Sequence, residues 1–303
     1  MDPDEIFISE NGLRAGWRLL IWIIIFVSLS GAIGIAIMKL FHPRPGPFLD
    51  PGRFIVGDFV TTFVPALAAT LLMARIEGRT LRDYYVPTRN LFARKFGWGI
   101  VWGLIAVSLL VGMIAALGGY KILGVELSGA SLVYWTILWI GASLAIGLVE
   151  EFTFRGYVLR TLADGIGFWP AAVLLSIGFG ALHYFSKPYE RWEDFASTGL
   201  LGFFLCLTIR KTNTLAFAIG WHAAFDWGAL YLYSGRNAGE FAVGRLLRTE
   251  WTGSDRLTGG LLGPEASWLV FVVIALLFLA FGMAFRRERG SFAPAPGRAE
   301  SAK

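Results

Sequence analysis

The sequence predicts an all-α, polytopic transmembrane bundle of about eight helices surrounding an intramembrane polar cavity. Composition is the first ground. Of 303 residues, 55% are hydrophobic and only 16% charged, with a mean hydropathy of +0.59, whereas a soluble chain would carry about 25% charged residues. The second ground is the recurrence of apolar runs of about 20 residues, the length at which a helix crosses a hydrocarbon core. The third is that some of these runs contain ionisable side chains: Glu150 and Glu151 in one, His183 in another, His222 and Asp226 in a third. A charge near the bilayer centre costs roughly 2.5 to 3.5 kcal/mol. All of these groups facing lipid would therefore cost on the order of 10 kcal/mol, comparable to the whole stability of a domain. They are expected to face inward, together.

In chain order, length and apolarity place the spans at Trp17–Met38, Phe54–Ile76, Phe96–Leu117, Ser131–Leu162, Trp169–Phe185, Thr198–Ile209, Leu215–Tyr233 and Ala266–Phe285. The fourth is long because its helical pattern runs past the carboxylates into Val158, Leu159 and Arg160. The sixth is short and is read as tilted or incomplete. Orientation follows from the basic loops, which stay on the cytoplasmic side. Arg14 and Arg18 precede the first span, and Arg75, Arg79, Arg82, Arg89, Arg94 and Lys95 lie between the second and third. Arg210 and Lys211 mark the sixth-to-seventh turn, and Arg286, Arg287, Arg289, Arg298 and Lys303 follow the eighth. With an even number of spans these segments share one side, so both termini are expected in the cytoplasm, the membrane being a prokaryotic plasma membrane.

The other connections mix charge signs. The longest, Ser234–Glu265, carries seven glycines and is expected to be irregular or surface-lying. Residues 1–290 read as a single transmembrane domain with its motif core at 131–233, followed by a disordered Pro, Ala and Gly-rich tail at 291–303. No internal repeat is visible. Cys206, the only cysteine, excludes an internal disulfide and any Cys-based metal knuckle. The acidic segment Met1–Asn11 lacks the basic start and small-residue cleavage site of a secretory signal, so the first apolar run is expected to be retained. The net charge of +5 is explained by topology, and a nucleic-acid partner is not expected.

Glu151 and Arg155 are four apart and share a helix face, so they are expected to pair. Glu150, rotated by about 100°, is left to point into a cavity with room to exchange a proton. His183 follows Phe179 by one turn. His222 and Asp226 share a face, a spacing that suits a carboxylate orienting an imidazole, a metal-ligand pair or a pair supporting an oxyanion. Other templates are missing. There is no His-Glu-x-x-His, and Ser143, in Gly141-Ala142-Ser143-Leu144, lacks the second glycine of the rhomboid-type Gly-x-Ser-Gly. His42 sits in a Pro-rich stretch and reads as an exposed loop residue.

Glu150-Glu151-x-x-x-Arg155, Phe179-x-x-x-His183 and His222-x-x-x-Asp226, in this order on three membrane helices, closely resemble the signature of the CPBP family of CAAX prenyl proteases and bacteriocin-processing enzymes. The resemblance implies an intramembrane endopeptidase on an eight-helix core. It makes Glu150 and His183 the pair that activates water, and His222 and Asp226 the pair that stabilises the oxyanion. Glu151, Arg155 and Phe179 become structural or substrate-positioning residues. Asp226 departs from the asparagine that CAAX-processing members often carry. An ionised carboxylate cannot donate to an oxyanion, so Asp226 either carries a proton or orients His222. The site is read as working without a cofactor, the alternative being zinc held by Glu150, His183, His222 and Asp226. The expected partners are a peptide or protein substrate, lipidated or not, and membrane lipids. Competing readings are a non-catalytic scaffold or bacteriocin-immunity protein on the same fold, and a proton-coupled transporter, which would call for inverted repeats and broken helices.

Overall fold

The computed structural model describes residues 7–9, 12–43, 46–86 and 89–286. The tail read as disordered, 291–303, lies outside them. A two-residue pairing of β1 (Ile8–Ser9) with β2 (Gly12–Leu13) precedes α1 (Ala15–Phe41). There follow α2 (Arg53–Glu77), α3 (Arg94–Ala116), β3 (Tyr120–Val125), α4 (Gly129–Ile166), α5 (Phe168–Ser186) and α6 (Trp192–Thr212). The chain then forms α7 (Ala216–Asp226), which continues as the π-helical turn Trp227–Leu232. It passes through β4 (Arg236–Asn237), β5 (Glu240–Phe241) and β6 (Leu247–Trp251) and ends with α8 (Leu269–Ala284). The all-α polytopic bundle is the observed fold. Among the described residues, α1 to α5 are each long and apolar enough to cross a membrane.

Two expectations need correction. The sixth helix is not a stub but runs for 21 residues, because Glu193 and Asp194 begin it rather than bound it. Carboxylates in a first turn complement the helix dipole, and Trp268 Nε1 donates to Glu193 Oε1 at 3.3 Å, which settles that side chain in the interior. The long connection 234–265 is also more ordered than its glycines suggest. It contributes β6, which pairs antiparallel with β3 across a bulge between Ile122 and Gly124, and a small β4–β5 hairpin. Three short helical turns, Asp255–Thr258, Gly260–Leu262 and Pro264–Ala266, lead into α8. His42 is exposed in a loop, as read.

The centre of the bundle is α7, in which every residue from Ala216 to Phe225 except His222 is buried. Small residues let its neighbours approach to backbone contact, as membrane helices do when hydrophobicity alone cannot drive association. A Cβ at Gly99 or Gly103 of α3 would collide with the carbonyl oxygens of Phe217 and Trp221. A Cβ at Gly147 of α4 would stand 3.0 Å from Ala223 N. The periphery is the opposite: α1 buries Trp22, whose Nε1 donates to Thr70 Oγ1 at 3.0 Å, while Ile24, Val27, Ile35 and Met38 are exposed. Such a surface would be an aggregation liability in water; here it is the face that meets acyl chains.

The two ends of the bundle differ. At one, Arg18 pairs with Glu77 at 2.7 Å, and Asp164 takes Arg79 at 2.7 Å and Arg160 at 3.1 Å, tying α1, α2 and α4 together. Lys95 Nζ donates to Thr212 O at 2.6 Å at the same end. At the other end the loops form a cap. Phe48 N donates to Glu240 Oε2 at 2.8 Å, Trp139 Nε1 to Val243 O at 2.8 Å, and Arg191 pairs with Asp255 at 2.9 Å.

The glycine contacts make a test. Gly103→Ala should lower the stability of the purified protein by about 1–3 kcal/mol, the usual cost of forcing atoms into a packed interior. Gly112→Ala on the same helix, with no atom within 4 Å of the added Cβ, should be neutral or slightly stabilising. Thermal unfolding of the two variants in detergent, showing equal midpoints, would count against the close α3–α7 packing.

Candidate active site

The fourth helix brings two adjacent carboxylates to the middle of the bundle and then changes its winding. Residues 129–152 are α-helical, Thr153–Val158 form a π-turn, and Gly156 leaves helical geometry at φ −80°, ψ −108°. Single π-turns inside helices recur at functional sites because they re-aim side chains. The seventh helix does the same directly after Asp226, at Trp227–Leu232, and α2 opens with an 11-residue π-helix, Arg53–Phe63.

Glu151 is fully buried at 0% exposure, and Arg155 at 2%. Arg155 Nη1 donates to Glu151 Oε1 at 2.6 Å, the i, i+4 pair that the spacing predicts. The Arg155 guanidinium also lies 4.6 Å over the Phe179 ring, which meets the His183 ring with centroids 4.5 Å apart and the Phe154 ring at 5.2 Å. Gly202 of α6 leaves the space: a Cβ there would stand 2.8 Å from Arg155 Nη2. The same Glu151 Oε1 accepts a second bond, from His222 Nδ1 at 2.9 Å. Among the roles that the spacing leaves open, one has Asp226 orienting His222. In the fold Glu151 takes that bond, and Asp226 Oδ2 instead stands 3.6 Å from His222 Nε2.

Glu150 faces the other way, into a cavity of about 500 Å³. Its Oε2 is 4.0 Å from His183 Nε2 and 3.7 Å from His222 Nε2. His183 Nδ1 lies 3.0 Å from Phe179 O. A carbonyl can only accept, so Nδ1 carries the proton and Nε2 presents its lone pair toward Glu150. Glu150, His183, His222 and Asp226 all line the cavity, with Phe179, Phe154, Val149 and Ile146 supplying apolar wall. Ser143 is buried outside it.

A zinc ion held by Glu150, His183, His222 and Asp226 would need donor atoms about 3.3 Å apart, as bond lengths near 2.0–2.1 Å in a tetrahedron require. The approaches between a histidine and a carboxylate of this set are 3.6, 3.7 and 4.0 Å. Among the described residues no group of three or more His, Cys, Asp or Glu side chains is placed to hold a metal. In this arrangement these donors stand farther apart than a tetrahedral zinc site holds its ligands.

The cavity also receives side chains that motif reasoning passed over: Asp58 and Arg53 from the π-helical start of α2, Lys187 just past α5, and Glu265 before α8. Asp58 had a visible signal, since it too is a carboxylate within an apolar run. At the mouth, burial pushes the Glu265 carboxyl up to about 8, with Asp226 adding to the push and Lys187 opposing it. Burial pushes Glu190 to about 8 as well, reinforced by Asp194.

Fold and site together define an integral membrane protein with a buried carboxylate and histidine centre built by three helices. Residues 132–228, which contain every motif position from Glu150 to Asp226, match the Rce1-like family, the type II CAAX prenyl endopeptidases. Over that segment, about a third of the chain, the protein is similar to the CPBP/CAAX protease family, in line with the resemblance carried by the three motifs. That similarity supports a CAAX-type intramembrane endopeptidase in general terms. No curated protein matches the chain.

The two raised carboxyls set a pH dependence. Between about pH 4.5, the ordinary glutamate value, and about 8, the folded protein holds protons on Glu190 and Glu265 that the unfolded chain releases. Stability should therefore fall as pH rises through this window. Glu265→Gln removes part of that slope: its melting temperature should exceed that of the parent at pH 8.5 and match it near pH 5. A variant displaced equally at both pH values would contradict the raised carboxyl.

Proposed function

We propose that this protein is an intramembrane endopeptidase that hydrolyses a peptide bond near the C-terminus of a protein or peptide, with a water activated by Glu150 and His183. The observation that carries the reading is the 4.0 Å between Glu150 Oε2 and His183 Nε2, both lining the cavity. A water at ~2.8 Å from each acceptor donates one hydrogen to either side, at close to a right angle. Its lone pair is then free to face a scissile carbonyl. Glu150 takes the proton as the oxygen attacks and the tetrahedral intermediate forms; the same proton passes to the leaving nitrogen as the C–N bond breaks. The released products are a new carboxylate and a new amine.

His222 supplies the charge for the oxyanion. Glu151 holds its Nδ1 and leaves Nε2 directed at the cavity. With a proton on each nitrogen, the ring is a cation among three carboxylates, which is the electrostatically matched form. It can donate to the oxyanion from a fixed position, without reorganisation at the moment of reaction. Asp226, 3.6 Å from Nε2, steadies that proton, so an ionised aspartate suffices where the family's asparagine would donate by itself. Phe179 and Arg155 act at one remove, the first holding the His183 ring and the second neutralising Glu151. The substrate is a polypeptide, lipidated or not, delivered from within the membrane or at its surface.

Glu150→Gln and His183→Ala should each reduce cleavage of a quenched-fluorescent peptide library by roughly 10²–10⁴-fold, the range for losing a general base or its partner. Thermal stability should stay near that of the parent. Retained cleavage in both would remove the hydrolytic proposal and favour a scaffold or immunity protein on the same fold. Chelation should leave the rate unchanged. A rate lost on chelation and recovered with zinc would establish a metal role and replace the water activation described above.

A further inference from the structure

The cavity has a sidedness that neither the motifs nor the family match assigns. Apart from its helix-borne walls, it is lined by Phe48 and Leu49 of the α1–α2 connection, Lys187 of the α5–α6 connection, and Asn237 and Glu265 of the long α7–α8 connection. All three connections lie at the capped end of the bundle, where Glu240 receives Phe48 N and Arg191 meets Asp255. Among the described residues, no lining group comes from the α2–α3 or the α6–α7 connection at the opposite end. That end is closed by the Arg18, Glu77, Arg79, Asp164 and Arg160 network.

The closed end is also the basic one. The α2–α3 segment carries Arg75, Arg79, Arg82, Arg89, Arg94 and Lys95 against Glu77 and Asp83, and Arg210 and Lys211 stand beside it in the α6–α7 turn. At the capped end the short connections hold far fewer cations. Lys187 and Arg191 face Glu190, Glu193 and Asp194, and the four arginines of the long connection are matched by Glu240, Glu250, Asp255 and Glu265. Short loops rich in Lys and Arg are retained in the cytoplasm because moving them across the bilayer is unfavourable. The geometry points to a catalytic cavity entered from the non-cytoplasmic face. On the proteolytic reading above, its substrates are polypeptide segments exposed on that face, the chain ends or membrane-proximal stretches of exported and membrane proteins. A C-terminus presented from the cytoplasm, lipidated or bare, would meet the closed basic end instead. The mouth combines Phe48, Leu49, Arg53, Lys187 and Glu265, so it suits an apolar segment of mixed charge rather than a strongly acidic or basic one.

The test exploits the chain's single cysteine, Cys206, which is buried and therefore silent to a polar reagent. The full-length protein is made in a bacterial host with one added cysteine, either Tyr189→Cys beside the mouth or Arg82→Cys at the basic end. Intact spheroplasts are treated with a membrane-impermeant maleimide, before or after permeabilisation. Tyr189→Cys should label at least tenfold more than the parent in intact spheroplasts, and Arg82→Cys only after permeabilisation. Labelling of Arg82→Cys in intact cells with Tyr189→Cys protected, or equal labelling of both, would overturn the assignment. The readout needs no cleavage, so its failure is separate from failure of the proteolytic reading, which the Glu150→Gln assay decides.

Discussion

Glu151 takes a carboxylate into a site with no solvent exposure, and the rest of the centre depends on how that charge is met. One oxygen receives both the guanidinium of Arg155 at 2.6 Å and the ring nitrogen of His222 at 2.9 Å. Removing one partner of such a buried pair leaves an uncompensated charge and costs several kcal/mol, whereas the intact pair contributes little net stability over an apolar replacement. Its value here is positional. Because the acceptor is shared, the fourth and seventh helices are locked in one register, and the far nitrogen of His222 is turned toward Glu150 and Asp226. Arg155 in turn lies on Phe179, and Phe179 on His183, so the fifth helix is drawn into the same chain of contacts.

The helices can sustain this because their backbones are close. Gly147 admits α7 to α4, Gly99 and Gly103 admit α3 to α7, and Gly202 leaves room for the head of Arg155. The π-turns after Glu150–Glu151 and after Asp226 give up regular winding where the side chains must be aimed. Rigid small-residue packing holds the frame while local irregularity sets direction. The result is a polar cluster that is dry on the Glu151 side and opens to a cavity on the Glu150 side.

Much of this was legible in the sequence. The i, i+4 spacing of Glu151 with Arg155, of Phe179 with His183 and of His222 with Asp226 put each pair on one helix face, and the insertion cost of the charges required them to converge. The bond from His222 to Glu151 was not legible, because it joins helices 71 positions apart and depends on how they rotate against each other. Spacing offered Asp226 as one neighbour for His222, and it could not show that Glu151 would take the Nδ1 side while Asp226 stands near Nε2. The β3–β6 pairing was hidden for the same reason, since strand partners more than a hundred positions apart leave no local pattern. The start of α6 was missed because Glu193 and Asp194 read as loop residues, although both are buried in the fold and Glu193 accepts a hydrogen bond from Trp268. Asp58 carried the same anomaly as Glu150 but stood alone, outside any ordered spacing.

Glu151 and Arg155 compensate one another in the dry half of the site. A double-mutant cycle on stability tests it most directly, with Glu151→Gln, Arg155→Met and the combined variant compared by reversible unfolding in the same detergent. Gln keeps an acceptor for His222 Nδ1, so the cycle isolates the charge pair. Each single change should cost about 3–5 kcal/mol, and the combined variant should recover most of one of those losses. Losses that simply add, with the combined variant as unstable as the sum of the two, would show that the pair is not the constraint on which the site is built.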